Sequence, residues 1–239
     1  MVLTLCVQQL QATAIAVIVT PRFIVIATDS KAVDDRVAPQ GETCKIRKAN
    51  DLFYVPNKLV RHAASGYDLD QIIQDLRGHS VVDMAAKLKE IVIGPLQGAL
   101  TYSRSEDRAL FKDNFGSRQA MGVILVGFEK GYPAVVDLRF IIEDLSAAEI
   151  ILRTEQHGCP GRDCPQGYAL VLVPQELSAA FEAKHPRHWV GNSGTVAAKA
   201  EEFVIYAARQ MQASVGPPFS VFVLNSNGVQ WLKPGVCRP

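Results

Sequence analysis

The sequence predicts a mixed α+β fold, a four-layer αββα sandwich of two mainly antiparallel sheets between helices. Three observations carry this. The segments run in the order strands, two helices, strands, a helix, a second helix and a closing hairpin. The first strands are apolar and β-branched with no polar alternation, which suits strands buried on both faces. The helical segments each show one apolar stripe, so they cover a sheet on one side only. Two stacked sheets with helices outside bury every one of these faces.

Residues 13–19 and 23–31 are the first two strands, the second closed by Asp29-Ser30-Lys31. Thr20-Pro21-Arg22 between them reads as a hairpin turn, with Pro21 pre-setting one turn dihedral. Asp29-Ser30-Lys31 then places three polar side chains at the end of an apolar run. A buried charge must be paired or leave the core, so this cluster belongs at an edge or in a site. Residues 32–42 are polar and read as a loop, and Thr43–Lys48 and Leu52–Val55 read as short strands.

Residues 67–77 place Leu69, Ile72, Ile73 and Leu76 on one helical face. A second helix starts at Ser80, with Asp83 completing a capping-box-like start. Its stripe is Val81, Met84, Ala85, Leu88, Ile91 and Val92, and Gly94-Pro95 is expected to end or kink it. The charge-rich residues 103–118 read as an exposed connection.

Met121–Phe128 and Ala134–Ile142 are strands, as are Ile150–Arg153 and Ala169–Val173. Pro174 suits the first position of a helix ending at Lys184. His185 and His188 read as surface residues, because Pro186 prevents their presentation on one helical turn. A helix over 196–211 shows Ala197, Ala200, Phe203, Val204, Ala207 and Met211 on one face. Phe219–Leu224 and Val229–Leu232, turned by 225–228, close the chain as a hairpin.

The chain has 239 residues, with 25 Lys plus Arg against 24 Asp plus Glu. The net charge of +1 lacks the basic excess of a nucleic-acid footprint. No apolar run reaches the ~18 residues of a membrane span. With no linker, residues 13–239 read as a single domain. Residues 1–12 read as a leader. It is either the end of a signal peptide starting upstream, a short pro-segment, or a plain extra strand. Removal after Ala12 exposes Thr13. A signal peptide implies export to the periplasm or outside, and otherwise the protein is cytoplasmic.

Without Cys6, four cysteines remain: Cys44, Cys159, Cys164 and Cys237. An even count suits disulfides, with three connectivities open. The tight Cys159–Cys164 loop suits a local bridge. Zinc is the weaker reading, since no second Cys pair follows, and free cytosolic thiols are the plainest alternative.

Thr13, Asp29 and Lys45 stand sixteen residues apart. Together with the strand–turn–strand, Asp29-Ser30-Lys31 and Lys45-Ile46, this is similar to the start of proteasome β-type subunits, members of the N-terminal nucleophile hydrolases. The resemblance covers residues 13–55 and returns weakly near 191–195 and in the last forty residues. It implies the same αββα architecture, Thr13 as nucleophile, and Asp29 and Lys45 as its supporting pair. Ser193, in the Asn192-Ser193-Gly194 turn before the long helix, matches a serine that contacts the site in that family. A plain helix cap explains this turn equally well.

The sequence also departs from the family. Pro56-Asn57-Lys58 replaces an Ala-Gly whose glycine amide helps form the oxyanion hole, although any residue but proline can donate an N–H. Gly66 could replace that donor only with a shifted register. Val215-Gly216 stands where the family has Ser-Gly, and Gln212 where it has aspartate.

A threonine hydroxyl needs a base to become a nucleophile. An N-terminal Thr13 carries its own α-amine, with a pKa of about 7.7–8.0 when free. Lys45 would keep the field positive, favouring neutral amine and developing alkoxide, and Asp29 would hold Lys45. The plain alternative is an ordinary strand threonine beside an ordinary ion pair. The expected function is therefore an Ntn-type amide-bond hydrolase. Its substrate is a peptide or another amide, it needs no cofactor or metal, and homo-oligomers are expected. The alternative is a catalytically inactive αββα domain serving as a binding or assembly module. The replaced glycine and missing aspartate favour that alternative.

Overall fold

The computed structural model describes residues 14–31, 44–50, 52–57, 69–76, 78, 80–162, 164–165, 167–173, 175–184, 189–212 and 215–237. They form a mixed α+β fold with two antiparallel sheets and five helices.

The first sheet contains β1 (Ile15–Val19), β2 (Phe23–Asp29), β8 (Tyr168–Leu172), β9 (Phe219–Asn225) and β10 (Gly228–Lys233), in the order β10-β9-β2-β1-β8. The second contains β3 (Arg47–Ala49), β4 (Leu52–Asn57), β5 (Gln119–Glu129), β6 (Tyr132–Ile142) and β7 (Leu152–Pro160), in sequence order. Every ladder is antiparallel.

The expectation that β1 and β2 are buried on both faces holds. Ile15, Val17, Val19, Ile24 and Ile26 point into a cluster shared with Phe53, Val55, Ile124 and Val126 of the second sheet. Ala16, Ile18, Val25 and Ala27 point the other way, against Ala197, Ala200, Val204 and Ala207 of α5 (Ser193–Gln210). Phe181 of α4 (Gln175–Lys184) joins that outer cluster. The outer face of the second sheet is covered by α1 (Leu69–Asp75), α2 (Val81–Glu106) and α3 (Arg108–Phe115). The turn between β1 and β2 is held by Thr20, whose Oγ1 donates to the Phe23 carbonyl at 2.8 Å and accepts from the Phe23 amide at 3.0 Å.

Two helical expectations need correction. Gly94-Pro95 does not end α2, which continues to Glu106. A proline inside a helix costs about 3 kcal/mol through its missing N–H and its clash. The buried stripe continues past it through Leu96, Ala99 and Leu100, and each such side chain recovers about 1.5–3 kcal/mol on burial. Packing therefore overrides the break.

Residues 103–118 are likewise not a connection. They hold the last turn of α2 and all of α3. Asp107 caps α3 by accepting the Leu110 amide at 2.9 Å. Phe111 and Phe115, four residues apart, are buried with their rings tilted against each other at 4.9 Å.

Ser80 caps α2 as expected, its Oγ accepting the Asp83 amide at 3.3 Å. α1 docks through polar contacts. Tyr54 donates to Asp70 Oδ1 at 3.0 Å, Arg47 pairs with Asp70, and Gln74 Nε2 donates to the Lys48 carbonyl. β3 starts two residues after Lys45, so the expected strand over 43–48 is shifted toward the turn at Asn50. β7 runs on through Cys159, beyond the expected end at Arg153.

Two disulfides are present, Cys44–Cys237 and Cys159–Cys164. The second is the expected local bridge. The first joins residues 193 apart, with Cα atoms at 4.7 Å. In the chain-entropy model, closing so long a loop is worth on the order of 5 kcal/mol.

Near the β10 side of the layer between the sheets, Phe222 is fully buried, with its ring 5.0 Å from Phe53 and 5.1 Å from Trp231. Phe222→Ala removes the contact that joins β4, β9 and β10. We expect a stability loss of about 3–5 kcal/mol by urea unfolding, with Trp231 emission shifted to the red. A loss below about 1 kcal/mol would mean that the two sheets do not rely on this ring.

Candidate functional site

Asp29 ends β2 and is fully buried. Burying a lone carboxylate is too costly unless donors surround it, and among the described residues four reach it. Oδ1 accepts the Lys45 ammonium at 2.7 Å and the Ala14 amide at 2.9 Å. Oδ2 accepts the Lys31 amide at 3.2 Å and the Gly216 amide at 3.4 Å. Lys45 is also buried, at 7 % exposure. Charge-assisted bonds of this length are about twice as strong as neutral ones.

Local structure explains the convergence. The β1–β2 register pairs Ile15 with Thr28, and the Asp29 amide donates to the Ala14 carbonyl at 3.2 Å. Asp29 therefore sits directly across from Ala14. β2 also pairs with β9, and the Ser30 amide donates to the Gly216 carbonyl at 3.4 Å. That contact brings the segment after α5 alongside.

Burial pushes the Asp29 carboxyl up and the Lys45 ammonium down. In each case the opposite charge and the hydrogen bonds pull the other way. Ser30 Oγ, one residue on, is buried and has no hydrogen-bond partner among the described residues. Lys31 turns outward, its ammonium donating to the Gln212 carbonyl at 2.7 Å.

Of the expected site residues, Asp29 and Lys45 are brought together. Thr13 lies outside the described residues, immediately before Ala14. Lys58 and Gly66 also lie outside them. Ser193 is the first residue of α5, whose cap is Asn192 through Oδ1 accepting the Thr195 amide at 2.9 Å. Among the described residues, the donors to Asp29 come from 14, 31, 45 and 216, and Ser193 is not one of them. Pro56 and Asn57 lie within β4, Asn57 opposite Gly122 of β5.

The contributions of Gly216, Lys31 and Gln212 are main-chain groups. No side-chain pattern could have shown them. The weak signal was Gly216 itself, a residue without a side chain placed just before Pro217-Pro218.

A second polar cluster lies on the inner face of β6 and β7. Asp137 is fully buried and takes both Arg139 Nε at 2.7 Å and Arg139 Nη2 at 2.6 Å on Oδ2, while Oδ1 has no partner among the described residues. Burial pushes its carboxyl up, opposed first by the Arg139 bond. Tyr168 is pushed up by its own burial and by the Asp137 charge. Among the described residues, no group of three or more His, Cys, Asp or Glu is placed to hold a metal. No described helix is long and apolar enough to cross a membrane.

No protein-family model matches the chain, and no curated protein matches it.

Two predictions follow from these geometries. Lys45→Met leaves the Asp29 charge buried without its cation, and we expect a loss of about 3–5 kcal/mol by urea unfolding. Adding Asp29→Asn should recover part of that loss, and simple additivity of the two losses would mean that the pair is not coupled.

The Asp137 carboxyl has a folded pKa above its unfolded value of 3.8. Its stabilising share is therefore present below the unfolded pKa and is lost as pH rises through the raised folded value. Wild type should lose more stability than Asp137→Asn over that interval. Parallel stability–pH curves would refute the assignment.

Proposed function

We propose that the chain is an Ntn-type amide-bond hydrolase with a four-layer αββα fold, similar to proteasome β-type subunits, using Thr13 as nucleophile once residues 1–12 are removed. The observation that carries this reading is the Asp29 carboxylate, which holds both the Lys45 ammonium and the backbone amide of Ala14. Ala14 is the residue bonded to Thr13, so the pair is fixed one residue from the proposed nucleophile.

The roles follow from the chemistry. The α-amine of Thr13 takes the hydroxyl proton as the hydroxyl attacks the amide carbonyl. Lys45 stabilises developing negative charge and keeps the amine neutral near pH 7. Asp29 orients Lys45. The amine then returns its proton to the leaving nitrogen, and water hydrolyses the resulting ester. Two disulfides fit an exported protein, which agrees with reading residues 1–12 as the end of a signal peptide.

A second reading, a non-catalytic αββα binding or assembly module, is favoured by Pro56 and Asn57 in β4, where the family pattern has Ala-Gly. Electrophile capture separates the two. The mature chain should begin at Thr13, and N-terminal peptide mass from the native host checks this. A small β-lactone should add one equivalent at Thr13. Thr13→Ala should abolish capture, Thr13→Ser should keep some, and Asp29→Asn should lower it by about 10²-fold or more. A correctly processed protein that takes up no lactone belongs to the binding-module class.

A further inference from the structure

Lys45 occupies the short stretch 44–46, between residues outside the described set and the start of β3 at Arg47. The β3–β4 ladder holds only Arg47 to Ala49, so it does not reach the lysine. The residue before Lys45 is Cys44, bonded to Cys237. We propose that the Cys44–Cys237 disulfide is a positioning element for Lys45, fixing its ammonium on Asp29; the inference rests on the proposed use of this pair to support Thr13.

The bonded groups close a ring. Asp29 of β2 lies opposite Phe219 of β9, and Thr28 lies opposite Ser220. Ser220 Oγ donates to the Pro234 carbonyl at 2.9 Å, and the Cys237 amide donates to the same carbonyl at 2.8 Å. Cys237 is bonded to Cys44, Cys44 precedes Lys45, and Lys45 returns to Asp29 at 2.7 Å. Each link is a covalent bond, a ladder or a short hydrogen bond.

The fit of the C-terminal turn on β9 is close. Gly235 has φ +56°, and a Cβ there would meet Ser220 Oγ at 2.5 Å and the Phe219 carbonyl oxygen at 2.9 Å. Cys237 is 2 % exposed and lies in the apolar layer between the sheets, as does Ile46 on the far side of Lys45. A chain segment clamped at Cys44 and at Ile46 leaves Lys45 little freedom. That lowers the entropy cost of holding a flexible four-carbon side chain on one carboxylate oxygen.

The test uses the mature full chain with Cys159→Ser and Cys164→Ser, so that a single bridge remains. A dithiol reductant opens it by exchange. The reductant's two thiols become its cyclic disulfide, and Cys44 and Cys237 become thiols, counted by alkylation and mass. Two readouts follow at low temperature. Acetylation of Lys45 by acetic anhydride is measured by peptide mass. β-Lactone capture at Thr13 is measured against pH.

Opening the bridge should speed Lys45 acetylation at least tenfold. It should also raise the pH midpoint of capture, because the Thr13 amine loses a fixed neighbouring cation. Re-oxidation should restore both. Cys237→Ser should behave as the reduced protein.

Lys45 protected as before, with an unchanged midpoint and both thiols alkylated, overturns the proposal. So does global unfolding on opening, seen by circular dichroism, since the bridge would then be a general staple. Wild type that captures no lactone at any pH defeats the hydrolase reading alone. Lys45 acetylation still decides the positioning role in that case.

Discussion

The structure is arranged around the burial of one carboxylate. Asp29 is fully buried, and its charge is tolerated because, among the described residues, four N–H donors meet it, three of them from segments distant in the sequence. Each of these three sets a condition on the chain. Ala14 must enter β1 in register with Asp29. Lys45 must arrive from the edge of the other sheet. Gly216 must follow α5 closely enough to bring its amide alongside. The fold outside the site can be understood as the means of meeting these conditions.

The apolar layers serve that end. β1 and β2 carry the site at one end, and their side chains are divided between α5 on one face and the second sheet on the other. Neither strand can slip by one residue without turning its whole set of side chains over. Ladder register therefore specifies the Ala14–Asp29 contact more tightly than any side chain does.

Much of the architecture could be read from the residues. β1 and β2 were legible because runs such as Ile15–Val19 admit no solvent face. α5 was legible because Ala197, Ala200, Val204 and Ala207 repeat at helical spacing. α3 was hidden because its charges outnumber the two phenylalanines that dock it. The continuation of α2 through Pro95 was hidden because local propensity points one way and packing the other. At the site, Asp29 and Lys45 were visible as side chains, whereas Gly216 and Gln212 act through the main chain, whose groups are the same in every residue. Cys44–Cys237 was one of three possible pairings, and only the spatial meeting of the two edge regions selects it.

The two margins of the inter-sheet layer are unlike. Cys44 leads into edge strand β3 and Cys237 follows edge strand β10, so one margin is closed covalently and lined by Phe222 and Trp231. At the other margin β8 has five residues against nine in β7, and Arg153 and His157 are exposed with Glu155 half-buried between them. The layer thus passes from aromatic packing at β9 and β10 to a polar, partly solvated edge at β7. The β7–β8 margin is tied as well, by the short connection between those strands and its Cys159–Cys164 bridge, so the sheets are stitched along both sides and cannot part like an opened book.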